Sequence, residues 1–447
     1  MYNGHNGISS LPKQKSFLKR VWSLPMLEHY YRLMFIVLLI NGLVLSYVVS
    51  RDNWYVVDKS AIQTFINLVV INLSLCILIR QQYVINLLFW FATRVPTSWP
   101  LSIRRHLGKV YHHGGLHSGS AISATFWFVT FAIALHYYPL TEEVTSSYKL
   151  LLPLSYLILF SLIVIIFMAI PVIRRKFHNA FEKVHRFLGW FVLVLFWVLT
   201  LSLSIELHPN EELIQVLFTS YSFWALIFVT VSILLPWLRL RRVPVKIHTP
   251  SDHVAFLQFN YGVTPFAGSS TTISTNPLME WHPFANIPAP KQLGFRLAVS
   301  RAGDWTGQII ESKPKYLWVK GIPTAGVANI EVLFKRVVYV ATGSGIGPCL
   351  PHLLAKQVET HLVWSTRDPR ATFGDDFVDE VLSAQPDSII WDTTERGKPD
   401  MVYLAYSAYK AFDAEAVICI ANQKLTREVV YGLESRGIPA FGAIWDS

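Results

Sequence analysis

Charge is the first thing this sequence lacks. Only 15% of its 447 residues are charged, against about 25% in an ordinary soluble domain. Hydrophobic residues make up 52% and mean hydropathy is +0.37. That excludes an intrinsically disordered chain, which requires low hydrophobicity, and argues against one aqueous core hiding all the apolar surface. Cysteine is scarce too. The 3 cysteines, Cys76, Cys349 and Cys419, form no C-x-x-C pair, which excludes a disulfide framework and speaks against a thiolate-bound zinc or iron–sulfur site. No cleavable signal peptide is read, because the N-terminus is polar and the first apolar run begins a full helix.

What is present is a set of long apolar runs. Six of them, Leu33–Val49, Ser60–Ile79, Ser118–Tyr138, Leu150–Ile173, Phe187–Ile205 and Leu213–Leu238, contain no internal charge and approach or exceed the length of about 20 residues that a hydrocarbon layer requires. They predict a multi-pass α-helical membrane domain. Tyr83–Ala92 is too short to cross and is expected to lie at the interface. Basic residues collect in the N-terminal arm, in 80–117 (Arg80, Arg94, Arg104, Arg105, Lys109), in 174–186 and after the last run. The intervening loops carry most of the acids. By the positive-inside rule both termini are expected in the cytosol, and the net charge of +10 is expected to face anionic lipid. No nucleic-acid partner is expected. Spans without buried charge also give little support for ion-coupled transport.

Histidines mark the ends of these runs. His113, His117 and His185 are expected near the inner face, where two imidazoles could hold one haem iron. They could also be interfacial residues touching headgroups, backbone or the following domain, or serve another metal. His117 to His136 spans about 28 Å of helix, too far for a stacked two-haem arrangement.

After Lys246 the texture changes. Short alternating runs around Val254–Asn260 and Phe295–Ser300 predict a small β-barrel. Within it, Thr306 stands where it could cap a short helix whose start would accept a phosphate. From Lys335 the pattern becomes α/β. An apolar strand runs into Gly343, Ser344, Gly345, Gly347 and Pro348, and glycines there let a backbone turn sharply and approach a ligand. An ordinary connection between strand and helix remains the alternative. Arg367 and Arg370 follow the next strand.

Three motifs, HPFANI (282–287), GDWTGQI (303–309) and GSGIGP (343–348), occur in an order and approximate spacing that resemble ferric reductase and NADPH oxidase flavoproteins, most of all the TmpA-type transmembrane flavoproteins of filamentous fungi. The resemblance implies a six-helix membrane domain followed by a ferredoxin-reductase-like module: an N-terminal arm over 1–32, helices over 33–240, an FAD-binding barrel over 246–332 and an NAD(P)-binding α/β domain over 333–447. It implies that His282, Pro283, Phe284 and Asn286 lie along the flavin and that Trp305 and Thr306 lie at its pyrophosphate. Gly343, Ser344, Gly345, Gly347 and Pro348 would cradle the nicotinamide nucleotide. Arg367 and Arg370 stand where a 2′-phosphate would be met, favouring NADPH over NADH. Cys419 matches a late cysteine near the nicotinamide–flavin junction, though it could also be packed as a small hydrophobe. Trp445 is a candidate for a terminal aromatic stacked on the flavin. Ala285 replaces a usual hydroxyl residue, and Ile420 and Ala421 replace a usual Gly-Pro pair.

The expectation is therefore an integral plasma-membrane oxidoreductase. It would take hydride from cytosolic NADPH onto FAD and pass electrons to a haem b or another acceptor. The competing expectation is a membrane signalling protein linked to asexual development, in which flavin or nucleotide occupancy alters partner binding.

Overall fold

The computed structural model describes residues 10–21, 24, 27–51, 57–140, 142–288 and 293–443. Its first half is helical: α1 (His29–Ser50), α2 (Lys59–Leu78), α3 (Gln82–Thr93), α4 (Leu101–Leu107), α5 (Gly114–Tyr137), α6 (Tyr148–Ala169), α7 (His178–Leu207), α8 (Leu213–Thr219) and α9 (Tyr221–Leu238). Six of these, α1, α2, α5, α6, α7 and α9, are long and apolar enough to cross a membrane, by length and composition only. A core including Phe65, Trp127, Phe128, Phe131 and Phe196 joins the long helices. Asn41 and Asn72 exchange side-chain hydrogen bonds within it, and Trp127 Nε1 donates to Asn41 Oδ1 at 2.8 Å. The expected run Leu213–Leu238 is two helices. Ser220 takes an extended backbone between them and its hydroxyl accepts from Phe223 N, so a local cap interrupts a continuous apolar pattern.

The second half holds two sheets. Strands β1 (Arg241–His248), β2 (Val254–Phe259), β3 (Ser269–Ser274), β4 (His282–Ala285), β5 (Ile287–Pro288), β6 (Phe295–Ser300) and β7 (Tyr316–Ala325) form an antiparallel sheet ordered β4-β3-β7-β1-β2-β6-β5. Its two edges, β4 and β5, are separated in sequence by Asn286 alone, so the sheet curls until its ends meet. Strand β1 pairs with β7 over Arg241–Pro244 and with β2 over Val245–His248. Pro244 falls where the partner changes, which is where a missing N–H costs least. The short helix α10 (Asp304–Ser312) packs Trp305, Ile309 and Ile310 into the same core as Ile273, Leu297 and Val319.

The other sheet is parallel: β8 (Arg336–Thr342), β9 (Glu359–Thr366), β10 (Ile389–Asp392), β11 (Ala416–Ile420) and β12 (Ala440–Gly442), ordered β10-β9-β8-β11-β12. Helices α11 (Ile346–Ala355), α12 (Asp375–Ala384), α13 (Met401–Ala411) and α14 (Gln423–Glu434) cover it. In this doubly wound order the connections reverse direction between β8 and β11, and ligands of such sheets sit outside the carboxyl ends at that point.

Segment Gln82–His112 joins the helical half to both sheets, and it corrects the expectation of a helix lying at a bilayer interface. On α3, Gln82 and Asn86 share one face at i, i+4. Gln82 donates to Ile322 O and accepts from Ile322 N, while Asn86 donates to Pro323 O and accepts from Ala325 N, at 2.9–3.1 Å. Two side-chain amides thus satisfy backbone groups of β7 as a neighbouring strand would. Further along, Arg104 forms a two-pronged pair with Glu415 at 2.7 and 3.1 Å and donates to Leu333 O at 2.7 Å. Lys109 pairs with Glu434 at 2.8 Å and donates to Ala440 O, and Arg105 also reaches Glu434. Arg104, Arg105 and Lys109 are therefore not charges held out toward lipid; their partners are protein carboxylates and carbonyls.

Burial pushes the Glu434 carboxyl up, but Lys109 and Arg105 outweigh it and hold the group below the usual carboxylate range. A carboxylate depressed in the folded state adds stability above its unfolded value and loses it as pH falls through the folded one. Glu434→Gln is expected to lower stability near neutrality by about 3 kcal/mol, the cost of stranding a buried cation. The loss of stability on acidification below a pH of about 4.5 should also become shallower. Denaturant unfolding across a pH series measures both effects, and an unchanged acid limb would reject Glu434 as the responsible group.

Candidate functional site

The site is built where β8 ends. Gly343 takes φ +50°, and a Cβ there would meet open space. Its carbonyl accepts from Trp364 Nε1 of β9 at 3.0 Å, which fixes the turn. At Gly345 the reason for glycine is different: a Cβ would lie 2.0 Å from Ile420 O at the end of β11. The turn therefore crosses the switch point with no room for a side chain. Ser344 is exposed, and the start of α11 has no side-chain cap. Although Ile346 N–H is bonded back to Gly343 O and Ser344 O, a helix start without a side-chain cap, reached past a glycine with open space before it, fits a dinucleotide pyrophosphate. Gly347 is buried, and its Cβ position is 3.4 Å from Ala298 Cβ on β6, so the turn sits directly on the barrel. Pro348 follows half-buried in the first turn of α11.

On the barrel side, His282, Pro283 and Phe284 lie along β4. The His282 ring stacks on Trp305 with centroids 4.1 Å apart, and Phe284 stacks on the same indole at 6.2 Å. Pro283 is exposed on the opposite face. Asn286 stands at the seam where the barrel closes, donating from Nδ2 to Ser269 Oγ at 3.1 Å and from its backbone N to Ser269 O at 2.8 Å. Three buried polar atoms on this β3–β4 pair have no hydrogen-bond partner among the described residues: Asn286 Oδ1, Thr271 Oγ1 and His282 Nε2. The last lies 3.7 Å from Glu280 Oε2, beyond hydrogen-bond reach. Burial lowers the His282 pKa, against a smaller opposing pull from Glu280, so the ring is neutral near pH 7. Unpartnered donors and acceptors in a row beside aromatic rings suit the polar edge and flat body of a flavin.

Thr306 acts from the third position of α10, its hydroxyl accepting from Ala302 N at 2.9 Å and Gly303 N at 3.1 Å. It thus caps the helix while engaging two amides that a phosphate could otherwise use. Trp305 Nε1 donates to Thr275 Oγ1. The two arginines after β9 separate. Arg370 is held by Asp375 at 2.7 Å and Asp379 at 2.6 Å, contacts that raise its pKa. Arg367 is exposed and makes no ion pair among the described residues. Cys419 is fully buried in the core on the α13–α14 side of β11, and burial pushes its thiol up to about 12. The thiol is neutral and turned away from the turn, as the small-hydrophobe alternative requires. Trp445 lies outside the described residues.

The expected haem ligands are brought only partly together. His117 and His185 have ring centroids 6.2 Å apart, Phe181 closes on His185 at 5.5 Å, and His117 Nδ1 bonds Cys76 O at 2.8 Å. The two rings thus lie side by side, and no group of three or more metal-binding side chains occurs among the described residues. Residues that motif reading missed are Thr271 and Trp364, whose roles depend on strand register and carry no local signal.

Residues 327–447 match the family model described as the C-terminal domain of adenylate-forming reductase 03009. Adenylate-forming reductase 03009 of Coprinopsis cinerea is 44% identical over 422 residues, 94% of this chain but 40% of the relative. Adenylate-forming reductase 06235 of the same fungus is 46% identical over 384 residues, 85% of this chain and 37% of the relative. The chain is similar to adenylate-forming reductases. It spans about 40% of the length of the curated relatives it matches. Among solved structures, ferredoxin-NADP+ reductase from Neisseria gonorrhoeae with bound FAD and NADP is 13% identical, covering 46% of this chain and 98% of that one at a TM-score of 0.35. Flavohemoglobin from Malassezia yamatoensis with bound FAD and heme is 13% identical, covering 87% and 97% at 0.41. Such scores carry no residue correspondence.

These findings overturn the family expected from the three motifs. The relatives are named as adenylate-forming reductases, not ferric reductases or TmpA-type flavoproteins. With that family go the multi-pass membrane domain as a fold class, the lipid-bilayer partner, the plasma-membrane location and the tie to developmental signalling, none of which the names of the two relatives carry. What stands of the fold is the barrel followed by the α/β sheet.

Gly345→Ala is expected to destabilise the chain by about 2 kcal/mol through overpacking against Ile420 O. Gly343→Ala, strained but unobstructed, should cost about 1 kcal/mol while weakening dinucleotide binding. Thermal unfolding with and without NADP+ separates the two, and equal unfolding shifts for both would contradict this division.

Proposed function

We propose that the chain is a flavin-dependent reductase module that takes hydride from NADPH. The observation that carries this reading is the close approach of Gly347, whose Cβ position lies 3.4 Å from Ala298 Cβ, which sets the glycine turn against the barrel beside the unpartnered seam of β3 and β4. A nucleotide on the turn and a flavin along the seam would be immediate neighbours. The names of the relatives as reductases support the same class of chemistry.

In this reading His282, Phe284 and Asn286 hold the flavin, with Pro283 shaping the strand, while Trp305 supports the rings and α10 faces its phosphates. Gly343, Ser344, Gly345, Gly347 and Pro348 hold the nicotinamide nucleotide. When bound, the flavin would supply the redox chemistry, accepting a hydride from the reduced nicotinamide. The chain's own part is to align the rings and exclude water; no side-chain base is required, and a buried, protonated Cys419 offers none. Arg367 supplies the free guanidinium for a 2′-phosphate, whereas Asp375 and Asp379 already neutralise Arg370.

The test is anaerobic addition of NADPH to natively purified protein while flavin absorbance is followed. Bleaching supports the reading; protein that neither retains nor takes up FAD overturns it. Arg367→Ala is expected to raise KM for NADPH about tenfold, an electrostatic loss of about 1.4 kcal/mol, and to leave KM for NADH unchanged. Arg370→Ala should change neither by more than about twofold.

A further inference from the structure

We propose that the buried triad Tyr339–Glu331–His352 is a positioning device that ties the nucleotide-side helix α11 to the flavin-side strand β3 and so sets the gap a hydride crosses; this rests on the reading above. Glu331 and His352 are only 1% and 2% exposed. Tyr339 OH donates to Glu331 Oε2 at 2.8 Å, and His352 Nδ1 donates to Glu331 Oε1 at 2.5 Å. Both carboxyl oxygens are engaged, as a polar group this deep requires.

The three residues come from three different parts of the frame. Glu331 lies in the turn of helix Val327–Leu333 that leads from the barrel into the α/β sheet, Tyr339 on β8, and His352 two turns beyond Gly345 on α11. With Nδ1 committed to Glu331, the far side of the imidazole meets the barrel. A Cβ on Gly268 would lie 2.0 Å from His352 Nε2, and Gly268 takes φ +73°. His352 Nε2 itself has no hydrogen-bond partner among the described residues. The contact is therefore steric: the ring is a spacer, held rigidly at one edge and pressed on Gly268 at the other. Gly268 immediately precedes Ser269, the residue that holds Asn286 at the seam. Asn329, from the same connecting turn as Glu331, donates to Ala267 O at 2.7 Å and accepts from Gly326 N at 2.8 Å. One small cluster thus fixes the start of β3, the link between the sheets and the helix that follows the glycine turn.

An ordinary core interaction would affect stability alone; a spacer between two cradles should affect the transfer step after binding is complete. In the holoprotein, His352→Ala is expected to keep its FAD content and to bind NADPH within about threefold. Its rate of flavin reduction should fall on the order of 10- to 100-fold, as misplacement by about 1 Å does. The long-wavelength charge-transfer absorbance of the flavin–nicotinamide pair should weaken in parallel. His352→Gln, which keeps a neutral donor toward Glu331, should recover most of both. In the cofactor-free chain, hydrogen exchange should accelerate together at Ser269–Ser270 and along α11 in His352→Ala, and not in His352→Gln. If His352→Ala does not fold, Gly268→Ala presses on the ring from the other side with the triad intact, and the same readouts are expected to move. An unchanged reduction rate and charge-transfer band, or exchange that accelerates in α11 alone, would overturn the proposal. A wild-type protein without FAD would instead sink the functional reading, and the exchange measurement would still decide the coupling.

Discussion

The close approach of Gly345 to the end of β11 governs the layout of the site. With 2.0 Å between a would-be Cβ and Ile420 O, the chain leaving β8 can cross the switch point only as bare backbone. That crossing fixes where α11 begins, and the direction of α11 then brings Gly347 onto β6 and His352 onto Gly268. Backbone proximity is a harder constraint than a hydrogen bond, since no rotamer change relieves it. The remaining contacts between the sheets work within that geometry. Phe256 stacks on Phe377 at 4.8 Å and Arg296 of β6 pairs with Glu380 of α12.

A second set of contacts braces the two sheets through the helical half. Gln82 and Asn86 cover the part of β7 beyond its pairing with β1, while Arg104, Lys109 and Tyr111 reach Glu415, Glu434 and Gly442 of the α/β half. Phe89 and Tyr111 enter the same buried cluster as Ile330, Leu333 and Phe441. A short stretch of chain thus carries both a barrel-facing surface and a sheet-facing surface. Angular freedom between the sheets is limited by a third body and not only by their own interface. This places Glu331 and His352 inside a frame already narrowed to small displacements, where a single imidazole is large enough to matter.

Much of this was legible in the sequence, for identifiable reasons. The long helices follow from uninterrupted apolar runs, and the glycine turn followed by a helix is visible because its strand is an unbroken β run. The break at Ser220 was hidden, since one serine cap leaves the apolar run intact. Strand β1 was hidden by its arginines, although Val243, Val245 and Ile247 alternate as a half-buried strand does. The amides of Gln82 and Asn86, one helical turn apart in an otherwise apolar segment, were a signal for docking onto protein. Of the candidate site, the motif residues were found by their pattern, while Thr271, Trp364, Glu331 and His352 depend on register and on helix direction. The neutralisation of Arg370 and the burial of Cys419 are likewise tertiary facts.

The lipid-facing surface that the basic clusters suggested was wrong for a reason that their partners illustrate. Counting basic residues beside apolar runs treats each as a free cation, and the inference to a lipid surface depends on that freedom. In the folded chain Arg104, Arg105 and Lys109 are engaged by Glu415 and Glu434, Arg186 by carbonyls of Leu278 and Met279, Arg242 by the Tyr316 ring and Arg239 by the Tyr83 ring. Their partners lie far away in sequence, so no window-based tally could register them. The same residues that looked like a boundary toward lipid are the ones that weld the helical half to the sheets. An apolar run keeps its meaning as length and composition, but a basic cluster acquires meaning only once its partners are known.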